Sequence, residues 1–498
     1  MTDETQSTTV GPVPSEVTDA TPFAPAAFTR LVWALFAASL GVLGVRVLGG
    51  ADAPWQFFGA VTVDGLTALL WVVVTFFSGI VHSYSRRYMA GDSGLARFFT
   101  RVFGFTVAVM LLAAADHAAL FVGGWLAMGL VMADLIGHVR GWSQAQAAAG
   151  LARRYFVGSS ALVGGAFAVL WWQTGATTVS GVAAAAGSLS GPVVFVAAGT
   201  LVLAAAIQSA LLPFHTWLLS SMTAPTPASA LMHAGFVNAG GILLLRVAPV
   251  VTIEPSVMLA IVTLGTVSAL GGKLLKSVQT DVKRRLGCST VGQMGFMLMQ
   301  AGLGFFGAAI THLVLHGFYK AYKFLSTGSR VERTAPSTAA DRDSLGVVGI
   351  AVTAVSAVAG GAVFVVITGK GGGLDTGLLL TLIVVLSTTH AARATLGQEA
   401  LPAAARLAAI PLVLLPAIAL YGLVYNAITT VLRGVPLVTA PTALTPVHAL
   451  VAAAFVIAYV AIDTGAYKRS RRLYVALLNA SRSPTTTMTT ATEDYNEY

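Results

Sequence analysis

The chain has 498 residues, of which 56% are hydrophobic and 10% charged, with a mean hydropathy of +0.79. A water-soluble fold of this length needs far more charge to cover its surface, so the composition excludes one and turns the surplus apolar area toward lipid. The net charge of +9 does not point to nucleic acid, because the basic residues stand in short loops between apolar runs, and the lone cysteine, Cys288, excludes a disulfide framework or thiolate cluster within the chain.

The first 29 residues are rich in Thr, Pro, Ser and acid and lack the basic start of a signal peptide, which predicts a disordered cytoplasmic tail. A bilayer core of about 30 Å needs roughly 20 apolar residues per spanning helix. About fourteen such runs follow, at 30–49, 65–83, 99–115, 117–138, 152–174, 190–212, 226–248, 255–278, 286–303, 306–327, 345–368, 374–393, 405–431 and 444–463. They are too long and too continuously apolar for barrel strands, and lipid offers no partner to free backbone groups. The predicted fold is therefore all-α: a polytopic helix bundle over 30–464, then a tail over 465–498 that is basic at first and disordered from about Ser481.

Basic residues alternate by side. Arg86, Arg87 and Arg97 follow the second run, Arg140, Arg153 and Arg154 the fourth, and Lys283, Arg284 and Arg285 the eighth. Arg330, Arg333 and Arg342 follow the tenth, and Lys468, Arg469, Arg471 and Arg472 the last. The other exits are nearly empty, with Arg46, Arg246, Lys370 and Arg433 as exceptions. The positive-inside rule then puts both termini in the cytoplasm of a cell membrane. Pro213, Pro225 and Pro227 interrupt the chain between the sixth and seventh runs, either as an ordinary loop or as a helix break lining a cavity.

Ionisable side chains inside a bilayer are costly and tend to mark a pathway. His312, His316, Lys320 and Lys323 lie on one run, and at 100° per residue they share an arc of about 80°. Lys320 and Lys323 also suit a role as interfacial anchors. His233 sits inside the seventh run, where it is either a packing residue or a carrier. Lys273, Lys276 and Lys283 cluster at the next turn; a buried lysine loses its proton readily, and the positive-inside rule also accounts for Lys276 and Lys283. Asp64 heads the second run, where it suits a helix cap, and Asp134 lies deep enough in the fourth to pair with a lysine across the bundle. Gly123-Gly124 and Gly240-Gly241 fit close helix packing. No nucleotide or zinc site is legible.

Several long motifs stand in order: Val63-Asp64-Gly65-Leu66, Tyr88-Met89-Ala90-Gly91-Asp92, Leu212-Pro213-Phe214-His215-Thr216-Trp217, Ala224-Pro225-Thr226-Pro227 continuing to His233-Ala234, Asp281 through Gly295, His312 through Ala321, and Ser326-Thr327-Gly328-Ser329. Over about 60–330 they resemble the NADH–quinone oxidoreductase subunit L and Mrp-antiporter family. Within it, His233 through Gly241, Val291 through Phe296 and the short C-terminus are most similar to the DabB family, the membrane subunits of DAB inorganic-carbon accumulation complexes.

That resemblance implies an antiporter-like fold with broken helices and an ion-translocating role, for protons or sodium. It places channel residues at His233, Lys283, His312, His316 and Lys320. It implies a partner at the cytoplasmic face, a DabA-like soluble zinc protein resembling a β-carbonic anhydrase, which would hydrate CO2 in one direction. The zinc and the catalysis would belong to that partner, so this chain would be a coupling subunit and not an enzyme. Two positions depart from the pattern. The acid of the first half-channel is Leu126, after Trp125, and its lysine is Gln208. Asp134 stands eight residues on, about 80° round the helix, as a substitute acid. His390 is the candidate for the family's terminal lysine. The second reading is a proton-pumping subunit of a respiratory or Mrp-type complex, and the third a non-conducting anchor for the partner.

Overall fold

The computed structural model describes residues 23–50, 52–327, 346–396 and 402–488. Helix α1 spans Phe23–Leu48, and a short antiparallel hairpin follows, β1 (Trp55–Phe57) on β2 (Val61–Val63). Then come α2 (Gly65–Tyr88), α3 (Leu95–Ala114), α4 (Ala118–Ile136), α5 (Ser143–Thr174), the short α6 (Val179–Ala184) and α7 (Gly191–Gln208). A broken stretch holds α8 (Thr216–Ser220), α9 (Thr226–Ala234), α10 (Ala239–Arg246) and the single turn α11 (Ala248–Val251). The second half comprises α12 (Pro255–Ser277), α13 (Val282–Gly302), α14 (Phe306–Leu325), α15 (Val347–Thr368), α16 (Gly377–Leu396), α17 (Ala403–Val431) and α18 (Pro446–Asp463). Two further short helices, α19 (Ala466–Arg469) and α20 (Arg471–Ala480), close the chain.

Each expected apolar run has a helix. Twelve membrane-length units among the described residues are apolar enough to cross a bilayer, counting α9 and α10 as one. The two others, α13 and α14, are long enough but carry Lys283, Arg284 and Arg285, or His312, His316, Lys320 and Lys323. The protein is thus a multi-pass membrane helical bundle, and the count of fourteen spans rests on how these two polar helices sit. They are the two that build the site below.

Several connections meet at one end of the bundle. There the Thr376 hydroxyl donates to Leu303 O, Ala440 N donates to Gly304 O, and Asp375 bridges to Ala443. The hairpin lies at the same end, with Val61 bridging to Ala115. The arginine-rich turns lie at the other end. Three of the four exceptions to the charge alternation are tied up in packing. Arg46 donates to Val63 O and stacks over Trp55. Arg246 forms an ion pair with Asp64 and bonds Thr67 and Ala113 O. Lys370 is buried among aromatic rings. Arg433 alone is exposed. Asp64 is also the cap of α2, accepting from Thr67 N at 2.8 Å.

Two boundaries differ from expectation. The N-terminal tail ends earlier, because α1 begins at Phe23 and buries Pro25 and Thr29; residues 1–22 lie outside the described ones. At the other end Ser481–Met488, expected to be disordered, form a strap. Ser481, Ser483 and Thr487 are buried, Gln279 donates to the Ser481 hydroxyl, and the Ser483 hydroxyl donates to Leu219 O. Its polar composition hid this, because its own residues are held by hydroxyls at the broken segment, while its apolar anchor, Leu477, lies in the helix just before it. Arg330, Arg333, Arg342 and the stretch beyond Met488 lie outside the described residues.

Candidate functional site

Helix α14 is the hub, packed against α9, α10, α13, α17 and α2. Its polar arc faces α9 and α13, and that is where His316 and Lys320 are buried. Lys320 is fully enclosed and donates from Nζ to Leu286 O at 2.7 Å. The Thr290 hydroxyl donates to the same carbonyl at 3.0 Å, and His233 Nδ1 lies 2.9 Å from Thr290 Oγ1. Where the Thr290 proton goes to Leu286 O, its oxygen accepts from His233 Nδ1–H and Nε2 is left as an acceptor. That Nε2 is buried and has no protein partner. One carbonyl and one hydroxyl therefore join His233 to Lys320, while the His233 ring stacks on Phe324 at 4.4 Å.

Toward the hairpin end, His316 and His312 stack in parallel with centroids 5.7 Å apart. Both ring nitrogens of His316 and Nε2 of His312 lack protein partners. Buried polar atoms in that state are groups that bond water or a passing ion. Phe296 of α13 packs on His312, and one turn further on Gln300 adjoins Tyr421 of α17. Tyr425 follows on α17, and its ring centroid lies 3.2 Å from Lys370 Nζ. Phe305 and Phe364 complete an aromatic cage around this amine, which has no hydrogen-bond partner. Lys370 lies in the connection between α15 and α16, and burial pushes its ammonium down to about 7.

At the arginine-rich end, Lys283 is half-buried and donates to Ala224 O at 3.2 Å, at the start of the break before α9. The break is no surface loop. Trp217 and Leu218 are fully buried, the Trp217 indole donates to Ile207 O, and Gly235 separates α9 from α10. Lys276 is half-buried and within electrostatic reach of Lys320.

Other expected residues fall elsewhere. Asp134 pairs with Arg101 of α3 and Arg153 of α5, with 43% of its side chain exposed. It is a surface partner to arginines, because those long side chains reach it at the end of α4, and it does not stand in for a buried acid. His390 is exposed on α16, with its ring against Tyr459, so it is not the buried counterpart of a terminal lysine. Lys273 is exposed on α12 near His390. Lys323 is half-exposed over the Tyr319 ring, as an interfacial anchor would be. Thr290, Gln300, Tyr421, Tyr425 and Lys370 escaped the sequence reading. The signal for Lys370 was its position as a lone lysine on the side that should carry none.

In the first half the interior is different. Gln208 is fully buried with both amide atoms unpartnered, and Leu126 is half-buried. Among the described residues of α2–α5 and α7 no buried lysine faces the core.

A buried lysine–histidine line thus runs beside broken helices in a multi-pass membrane bundle of antiporter-like fold. Residues 115–347 match the family described as NADH:quinone oxidoreductase/Mrp antiporter, transmembrane region, and residues 54–99 match the N-terminal region of complex I chain 5. The chain is 39% identical to the probable inorganic carbon transporter subunit DabB1 of Halothiobacillus neapolitanus, over 55% of this chain and 50% of that one. It is 35% identical to the corresponding DabB subunit of Bacillus subtilis, over 64% of this chain and 63% of that one. The NADH-quinone oxidoreductase subunit L of Mycobacterium tuberculosis is 36% identical over 54% of this chain and 43% of that one. The chain spans about half to just under two thirds of the DabB relatives it matches. In fold it is similar to the Mrp complex of a Dietzia species (TM-score 0.57, 22% identity, 95% of this chain and 52% of that one). It is also similar to an archaeal membrane-bound sulfane sulfur reductase (TM-score 0.56, 15% identity, 93% of each chain).

Proposed function

We propose that this chain is the ion-translocating membrane subunit of a DabB-type inorganic-carbon transporter. The observation that carries the reading is the enclosed Lys320, joined to His233 through Leu286 O and Thr290 and flanked by the partnerless His316. Protons, or sodium displacing them, pass between Lys283 at the cytoplasmic mouth and Lys370 at the opposite end, by way of His233, Lys320, His316 and His312. Lys276 sets the potential at Lys320. The arginine-rich end is cytoplasmic, in a cell membrane, and a DabA-like soluble zinc subunit docks there. That partner holds the zinc and hydrates CO2, and the ion gradient drives the reaction in one direction. The same face carries the broken segment and the strap.

The respiratory alternative draws on the likeness to subunit L. It is weakened by Leu126 and Gln208, which leave the first half without the charged pair that such a pump needs. The test is co-purification with the partner, followed by CO2-uptake rescue with and without an uncoupler. Coupling predicts uptake that disappears when the gradient collapses. Uptake that survives the uncoupler, or that survives Lys320→Met in an assembled complex, refutes it.

A further inference from the structure

The first half of the bundle holds a largely buried cavity of about 40 Å³ between α2, α3, α4, α9, α10 and α14. On the measure by which one water needs roughly 10–15 Å³, it has room for more than one water. Its wall is carbon: Phe77, Phe105, Phe121, Trp125, Phe236 and Leu313 are among the residues that line it. The Trp125 indole is already committed to Ser159 Oγ at 3.1 Å. Asn238 also lines the cavity, and its amide nitrogen is committed to Ala234 O at 2.7 Å, while Oδ1 has no partner. A buried water needs two to four polar partners, and the side chains of this wall offer one. An ion finds no countercharge, so the cavity is dry and takes neutral guests.

We infer that this cavity is a binding site for a small neutral gas molecule, specifically CO2. The identity of the gas rests on the inorganic-carbon reading above; the dryness and size of the site do not. CO2 is linear and carries a quadrupole, with a positive carbon and negative ends. The free Asn238 Oδ1 meets the carbon, and the positive edges of the surrounding rings meet the oxygens. Bicarbonate is excluded, because a buried anion without a donor or cation is prohibitively costly. The site also adjoins the charge line. Ala234 and Gly235 of its wall follow His233 directly, and Leu313 follows His312. Gly317, the residue after His316, packs so tightly on Phe77 and Ala234 O that a Cβ there would lie 2.7–2.9 Å from them.

The experiment is to pressurise crystals of the full-length chain separately with xenon and with CO2, for the wild type, Val109→Phe and Asn238→Leu. Both gases are expected in the wild type. Val109→Phe fills the void and loses both. Asn238→Leu keeps xenon and loses at least tenfold in CO2 occupancy. Leu313→Phe serves as the filling variant if Val109→Phe does not fold. An empty cavity in the wild type, ordered water within it, or xenon without CO2 overturns the inference. So does undiminished CO2 occupancy in Asn238→Leu. Failure of the coupling reading appears separately, as uptake that survives gradient collapse, and leaves the gas result standing.

Discussion

Lys320 has one strong partner, a carbonyl oxygen that it shares with Thr290. A lysine in that setting is held in place without being neutralised by a carboxylate, so its proton is free to leave. Lys320→Met keeps most of the side-chain volume and removes the proton. The expected outcome is loss of gradient-driven uptake by more than tenfold, with the variant still folded and assembled on a sizing column. Thr290→Val cuts the link to His233 and should slow turnover several-fold without abolishing it; unchanged turnover would show that His233 and Lys320 are not linked through this hydroxyl.

Lys370 gives the pH prediction. Burial lowers its folded-state value to about 7 from the ordinary lysine value of 10.5. The sign follows from proton counting. Between about 7 and 10.5 the unfolded chain holds the proton and the folded chain does not, so stability rises with pH across that window, by about 1.4 kcal/mol per pH unit. Below 7 the full cost of the buried charge is present. The difference in melting temperature between wild type and Lys370→Met should therefore shift in favour of wild type as pH is raised from 7 to 10. A difference that does not change with pH would mean the amine stays charged.

At the scale of elements, the closest helix pair is α12 on α13, and its glycines explain why. A Cβ on Gly272 would lie 2.2 Å from Gly292 N, and one on Gly295 2.4 Å from Ala269 N, so the two backbones touch. In lipid such packing supplies the attraction that the hydrophobic effect supplies in water. Gly272→Leu should push α13 away from α12, carry Leu286 O away from Lys320, and cut the yield of folded protein severely. A variant that folds and transports normally would show that the contact is dispensable. The glycine pairs singled out from sequence fare unevenly: Gly240 and Gly241 are tightly packed, Gly124 touches Leu112, and Gly123 faces open space.

The strap is the other element with a consequence. His215 Nε2 bonds Ala480 O at 2.9 Å, Leu477 packs on the cluster of Leu219, Leu275 and Cys288, and Thr487 meets Ser220. It fastens the broken segment to the end of α12. Replacing Leu477 with Asp should release it, and Arg482, already exposed, should then be cut by trypsin at least ten times faster than in wild type. Equal cutting rates would mean that Leu477 does not hold the strap down.

At the scale of the molecule, sidedness is the main prediction. Phe58 is fully exposed at the tip of the hairpin, and Arg482 is exposed on the strap at the opposite end. In a Cys288→Ala background, Phe58→Cys should react with an impermeant maleimide added outside whole cells, and Arg482→Cys only after lysis. The reverse pattern would invert the proposed topology and move the partner's docking face.

The amino-acid sequence alone determined the class of fold and the place of the long apolar helices, and it put His312, His316 and Lys320 on one helix face. These follow from local quantities: the length of apolar runs that lipid demands, and side chains spaced to share one helix face. The tertiary structure decided which charged groups are buried. Asp134 and His390 look interior by position along a helix, yet they lie where arginines or the outer surface receive them, whereas Lys370 looks like a loop residue and is enclosed by rings from three other segments of chain. Burial depends on what packs alongside, and neither periodicity nor spacing carries that information. The shared carbonyl between Lys320 and Thr290, the folded strap and the dry cavity exist only once distant helices have closed on one another.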